Sequence, residues 1–467
     1  MGYALAMGLV FEAMLTEGLA SIAYLVGDTS SGTAALIDPS LDVERYLKKA
    51  HERRVVITHV FETHQACDQL SGTQLIPGAK VCLSWQGDYR FPHLPVHDGD
   101  RFVFGDISLT ARHTPGVSPE HMAYLLAEDG VAWAVLSGDS LLINSVGQPQ
   151  DAQQLYKTLR DFYLKLDDGV LVYPAHSAGS ACGLGMSRRL VSSIGYERRH
   201  NPYLMETGRE DFQSYPPRPP HFARLQRLNA EAPPPSGQPH PLTAQAFHQA
   251  LSEQEAQLVD ARDMFAFGAG HIAGALNLGA APVMSLWAGH FLDPERPLLL
   301  VSEEHERENV IRYLRRTGFT QFAGYLEGGM SKWSNAGFPL QQIPQRSVQQ
   351  LKEAGNKLQL VDVRTSAEHE RGYIPGSIHI PLARLPEQMH KLSADRATAV
   401  YCGAGYRASL ATSLLRRQGF LNVNNIPGSW KAWREAGFPV AGRAGDTVCV
   451  ATTSMRIPKI SLKPALT

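Results

Sequence analysis

The chain has 467 residues, 43% of them hydrophobic and 19% charged, with a formal net charge of −1. That balance excludes a broad electrostatic attraction to nucleic acid or anionic lipid, and the length predicts about three domains. Five cysteines, at 67, 82, 182, 402 and 449, form no CxxC pair and no even framework, which fits a reducing compartment rather than a disulfide scaffold. Met1 to Val10 is apolar but has no basic flank and is soon broken by Glu12 and Glu17, so no signal peptide is read. No apolar run reaches membrane-spanning length. A cytoplasmic protein with no nucleic-acid or membrane partner is expected, and a homo-oligomer is left open.

The first segment, residues 7–232, opens its chemistry after an apolar strand, Val55-Val56. His59, Glu62, His64, Asp68 and Ser71-Gly72 follow that strand. Later come His113-Thr114-Pro115-Gly116, Ser137-Gly138-Asp139 and Val172-Tyr173-Pro174-Ala175-His176. Histidines and aspartates at strand ends gather metal ligands into one cleft. This order resembles the metallo-β-lactamase fold, an αββα sandwich, in the branch of glyoxalase II and the persulfide dioxygenases. Gly179-Ser180-Ala181-Cys182-Gly183 and Ile194 to Pro202 extend the match.

The departures are specific. The family motif His-x-His-x-Asp-His here reads His64-Gln65-Ala66-Cys67-Asp68-Gln69, and Thr-Pro-Gly-His becomes Thr114-Pro115-Gly116-Val117. The resemblance implies an iron held by the first histidine of the motif, the histidine after Pro-Gly, and the Gly-Asp aspartate. His64 and Asp139 survive, and Val117 replaces the third ligand. A facial triad needs two histidines and one carboxylate. His64, Asp68, Asp139 and His176 are the remaining candidate ligands, and the site is read as vestigial. Asp68, Asp139 and His176 form a one-histidine, two-carboxylate set that leaves weak iron or zinc binding open. Cys67, His59, His113 and His121 are near in sequence, with nothing to aim them at the cleft. In the fusions this sequence resembles, a cysteine at the Cys182 position lies near the cleft and could relay sulfur. A packed structural thiol is the equal alternative.

Proline-dense stretches, Tyr215 to Pro220 and Ala232 to Pro241, mark an extended linker. Beyond it an internal repeat of about 100 residues organises the chain. Leu258-Val259-Asp260-Ala261-Arg262 mirrors Leu360-Val361-Asp362-Val363-Arg364. Tyr313 to Phe319 mirrors Leu414 to Phe420, and Trp333 mirrors Trp433. Such a period is a duplicated domain rather than a solenoid. Each copy alternates short apolar strands with amphipathic helices, which predicts an α/β layer with a parallel sheet. In the first copy, residues 233–343, the loop after the strand reads Ser302-Glu303-Glu304-His305-Glu306-Arg307. It has no thiol and no glycine, and its carboxylates repel an anion.

The second copy, residues 344–442, has Cys402-Gly403-Ala404-Gly405-Tyr406-Arg407 at the same place. A cysteine between a strand end and a helix start faces loop N–H groups and the positive end of the helix dipole. That environment favours a nucleophilic thiolate. The loop is one residue shorter than a Cys-x5-Arg phosphate loop, which suits a single sulfur atom carried as a persulfide. Together with Glu368, Gly372 to His379, and Gly428-Ser429-Trp430, the loop resembles a rhodanese. Residues 443–467 are a tail without assignable pattern.

The whole chain is similar to persulfide dioxygenase–rhodanese fusions, with a degenerate metal site. The expected activity is transfer of sulfane sulfur from thiosulfate or glutathione persulfide to a small thiol. Cys402 and Arg407 are the catalytic residues, and Gly403, Ala404, Gly405 and Tyr406 bind substrate. Asp362 and Arg364 brace the loop. No cofactor is required for that transfer. The alternatives are metal-dependent oxidation of glutathione persulfide to sulfite coupled to sulfur transfer, and a non-enzymatic sulfur carrier or docking protein.

Overall fold

The computed structural model describes residues 8–205, 215, 218–231, 237–253 and 255–442. The expected tail, with Cys449, and the prolines at 233–235 lie outside the described residues. Two compact units are present: residues up to Asp263 with Leu278–Pro339, and Met264–Asn277 with the residues from Leu340 on.

In the first unit, β1 (Leu9–Thr16), β2 (Ser21–Asp28), β3 (Thr33–Ile37), β4 (Val56–Phe61), β5 (Lys80–Ser84) and β6 (Leu94–Val96) form one sheet in that order. The pairs β1/β2 and β2/β3 are antiparallel, and the others are parallel. A second sheet runs β12-β11-β10-β9-β8-β7, built from β7 (Arg101–Phe104), β8 (Ile107–His113), β9 (Met122–Glu128), β10 (Val131–Gly138), β11 (Leu171–Pro174) and β12 (Ser192–Ser193).

The period of two along a strand explains the layering. In β2, Ile22, Tyr24 and Val26 pack with Leu109, Met122, Tyr124 and Leu136 of the second sheet. Ala23 and Leu25 point the other way and pack with Tyr46 and Ala50 of helix Glu44–Glu52. A strand buried on both faces needs an unbroken apolar run, and β2 is buried along its whole length. On the far side, helix Ala152–Asp161 seats Leu155 and Leu159 against Val135 and Val172. Its start is fixed by Asp151, whose side chain accepts the Gln154 N–H at 2.9 Å. Helix, two sheets and helix make the αββα sandwich.

The first unit also holds most of the first repeat copy. Pro241–Leu242, Phe322–Leu326, Leu298–Val301 and Gln257–Asp260 are adjacent, parallel strands in that order. Arg316 ties this copy to the sandwich. Its Nε donates to Asp42 at 2.8 Å, and its carbonyl accepts the Leu70 N–H at 2.7 Å.

The second unit carries a parallel sheet in the order Ile378–His379, Gln359–Asp362, Thr398–Tyr401, Val423–Asn425. Its core joins Leu351, Leu360, Ala399, Tyr401, Ile426 and Trp433. Residues Met264–Asn277 come from the first copy's sequence yet belong to this unit. Asn277 fixes them there: Ser409 Oγ donates to its Oδ1 at 2.5 Å, and its N–H donates to Ser413 at 3.1 Å. Among the described residues no helix is long and apolar enough to cross a membrane.

Candidate functional site

Strand Thr398–Tyr401 is buried throughout and delivers Cys402 to the sheet edge, where helix Tyr406–Arg417 begins. The Gly405 N–H donates to Cys402 Sγ at 3.1 Å. Gly405 reaches this pose at φ +124°, a conformation glycine adopts without strain, and a Cβ there would lie 2.6 Å from Met264 Sδ. The Cys402 N–H is held by Ser429 Oγ at 3.1 Å, and Ser429 itself donates to Ile426 O. The Cys402 side chain is 2% exposed.

Arg407 bends back over the loop, its Nη2 standing 3.3 Å from where a Gly403 Cβ would be. Glu368 grips it twice, each bond 2.7 Å. Burial opposes the charges of both partners, but the pairing wins. Glu368 is held down to about 2 by Arg407 and by Thr365. Arg407 is raised by Glu368 and by the Cys402 sulfur. Behind the loop, Asp362 chelates Arg364 at 2.7 and 3.0 Å and accepts the Tyr401 hydroxyl at 2.8 Å. Arg364 in turn donates to Gly372 O at 2.8 Å. This brace sits one residue before Cys402.

The first copy repeats the brace, with Arg262 on Asp260 at 2.6 Å. Its loop is different. Glu303, Glu304 and His305 are exposed, and the Arg307 guanidinium lies 3.8 Å from the Tyr325 ring centroid instead of over an anion pocket.

In the sandwich, the loops after β4, β8, β10 and β11 deliver His64 with Asp68, Val117, Asp139 and His176 to one edge. His176 Nδ1 bonds Asp139 at 2.6 Å, and its Nε2 lies 3.1 Å from Asp68 Oδ2. Burial lowers His176, but Asp139, Cys182 and Asp68 outweigh it and push it well above its ordinary value. Asp139 is correspondingly held down to about 2, burial notwithstanding, by His176 and His64. His64 Nε2 stands 3.5 Å from the other Asp139 oxygen, and its Nδ1 bonds Thr63. The Asp139 backbone is fixed by its N–H donating to His121 Nε2 at 3.0 Å. Gly138 is required there: its φ is +57°, and a Cβ would meet His121 Nε2 at 2.5 Å.

Two rhodanese-like domain matches cover residues 243–336 and 345–436. Persulfide dioxygenase ETHE1, mitochondrial, of Bos taurus is 30% identical over 194 residues, 39% of this chain and 70% of that protein. The chain belongs to the persulfide dioxygenase–rhodanese fusion family. A protein named sulfurtransferase from Allochromatium vinosum is 36% identical over 86 residues, 18% of this chain and 80% of that protein. The crystal structure of a metallo-beta-lactamase from Staphylococcus aureus covers 69% of the chain and 99% of its own length, with a TM-score of 0.62 and 26% identity. The sulfurtransferase relatives and the two rhodanese domains support sulfur transfer by this fusion protein.

The family's iron triad can be tested on the donors present. Val117 is 7% exposed and lines a cavity with His64 and Asp139, where it offers carbon instead of nitrogen. The His121 imidazole spends Nε2 on backbone N–H groups and Nδ1 on Thr114. At the three positions the resemblance implies, the chain offers one histidine, one carboxylate and a valine, where a facial triad takes two histidines and a carboxylate. His64, Asp68, Asp139 and His176 lie together at this edge. Of the side chains left unaimed, Cys67 lines that cavity and His121 buttresses Asp139, while His59 packs against Phe104. Sequence reasoning named Glu368 and Ser429 as motif residues without foreseeing their contacts with Arg407 and Cys402, and it missed Met264. The positive φ of Ser429 is not legible from a serine, and Met264 reaches the loop from a distant stretch of chain.

Proposed function

We propose that the chain is a sulfurtransferase that moves sulfane sulfur from thiosulfate or a low-molecular-weight persulfide to a thiol acceptor through a Cys402 persulfide. The observation that carries this reading is the Gly405 N–H on Cys402 Sγ beside Arg407. The Cys402 thiolate attacks the outer sulfur of thiosulfate. The S–S bond breaks, and sulfite leaves with the electron pair. The persulfide anion then lies against the loop amides, from Gly403 to Arg407, and the guanidinium, which offset its charge. An acceptor thiolate attacks the outer sulfur and departs as its own persulfide, which regenerates Cys402 and makes the kinetics ping-pong. Tyr406 opens the helix that follows the loop.

A second reading, oxidation of a small persulfide in the sandwich domain, is favoured by the similarity to persulfide dioxygenase ETHE1. We infer instead that this domain has lost its iron, since Val117 and Ala66 stand at ligand positions. Thiosulfate-to-cyanide turnover by Cys402→Ser, with oxygen uptake on glutathione persulfide by the unaltered chain, tests both. Abolished turnover with no oxygen uptake is expected. Undiminished turnover in the variant overturns the Cys402 assignment, and iron-dependent oxygen uptake overturns the loss of iron.

A further inference from the structure

Two cysteines from different loops of the sandwich domain meet at one cavity. Cys67 follows β4 and Cys182 follows β11, and both line a cavity of about 330 Å³ together with Gln65 and Gln148. The two thiols share a hydrogen bond. We propose that Cys67 and Cys182 are a redox-active dithiol that takes the outer sulfur of a low-molecular-weight persulfide and discharges it as hydrosulfide, closing a Cys67–Cys182 disulfide.

The loops that carry the pair are pinned. Asn229 Nδ2 donates to Ala66 O and to Gln69 O, on either side of Cys67, at 2.8 Å each. The Cys182 N–H donates to Ser180 Oγ at 3.0 Å, and the Cys182 carbonyl accepts the Gln148 N–H at 3.0 Å. With both backbones held and the thiols in contact, rotation of the two side chains brings the sulfurs toward the bonding distance of about 2.05 Å. Exposure divides the roles. Cys67 is partly exposed, whereas Cys182 is 5% exposed. An accessible thiol in front of a buried one is the arrangement for attack followed by resolution. The cavity falls in the size range of small-molecule sites. Gln65 also keeps a buried amide nitrogen without a hydrogen-bond partner among the described residues, and a bound donor molecule can accept from it. Cys67 stands at a variable position of the family's ligand motif, so the pair is this chain's own. The resemblance offers Cys182 alone, as a carrier. A second thiol in contact turns a carrier into a centre that releases sulfur.

The Cys67 thiolate attacks the outer sulfur of the persulfide R–S–SH. The bond between the two donor sulfurs breaks, and R–S⁻ leaves with the electron pair. Cys67 then carries the sulfur as its own persulfide. Cys182 attacks Cys67 Sγ, the outer sulfur leaves with the electron pair, and the Cys182 proton passes to it as the disulfide forms. The transferred sulfur gains two electrons, and the two cysteines lose two. Two molecules of a small thiol reopen the disulfide by exchange and leave as their own disulfide. The donor is of the class that the Cys402 reading uses, but the dithiol does not rest on Cys402.

The test is anaerobic treatment of the full chain, reduced and desalted, with one equivalent of glutathione persulfide. It is run on the unaltered chain and on Cys402→Ser, which removes sulfur held at Cys402 from the count. Free thiols are then alkylated, and peptides are mapped by mass spectrometry without reduction. A linked Cys67–Cys182 peptide is expected in both proteins, with one hydrosulfide released per link, at least tenfold above a protein-free control. Cys67 and Cys182 alkylated separately, with no link, overturn the proposal. So does a stable persulfide on Cys182 beside an alkylated Cys67, the mark of a single-cysteine carrier. A link without hydrosulfide is simple oxidation and overturns the release step. A link in the unaltered chain that is missing from Cys402→Ser overturns direct uptake from the small donor.

Discussion

Replacing Glu368 by glutamine removes the charge that holds Arg407 while keeping the side chain's size and one acceptor. A carboxyl held at about 2 instead of 4.5 sets a ceiling of about 3 kcal/mol on the pairing. The Glu368 side chain is 34% exposed, so solvent screening cuts this to about 1–2 kcal/mol. The sign follows from linkage. Glu368 is depressed in the folded state, so its contribution is complete above about pH 4.5 and is lost as pH falls through about 2. Hydrogen exchange of segments from helix Tyr406–Arg417, read by mass spectrometry on the full chain, reports the local opening energy. Near pH 7 the variant should exchange about 5–30-fold faster than the unaltered chain. The difference should narrow as pH falls from 4.5 toward 2.5. A difference that is the same at pH 7 and pH 3, or absent at pH 7, refutes the charge-pair account.

Other outcomes follow from the same geometry. Arg407→Ala should raise KM for thiosulfate in steady-state assays and flatten its dependence on ionic strength, because an anion-facing cation is gone. Ser429→Ala leaves the buried Cys402 N–H without its acceptor and should cost about 1–3 kcal/mol in denaturant unfolding. Arg316→Ala strands the partly buried Asp42 and should cost about 3–5 kcal/mol, seen as faster limited proteolysis around the linker. Leu300→Ala, in a strand buried along its whole length, should lower stability by about 2–5 kcal/mol by thermal melting.

The sequence by itself determined the αββα sandwich, the duplication and the position of the reactive loop. Those features are written in local patterns. An unbroken apolar run makes β2 a strand buried on both faces, and the second copy sets a cysteine between a strand and a glycine-bearing helix start. Ala66, Gln69 and Val117 stand where the family resemblance implies metal donors. What only the tertiary structure decided is which distant side chains share a cluster. Glu368 meets Arg407 across 39 residues. Asn277 is bonded to Ser409 across 132. Nothing in spacing along the chain encodes such meetings. They arise because parallel strands all deliver their ends to one edge of a sheet, and packing then sets which of those ends touch.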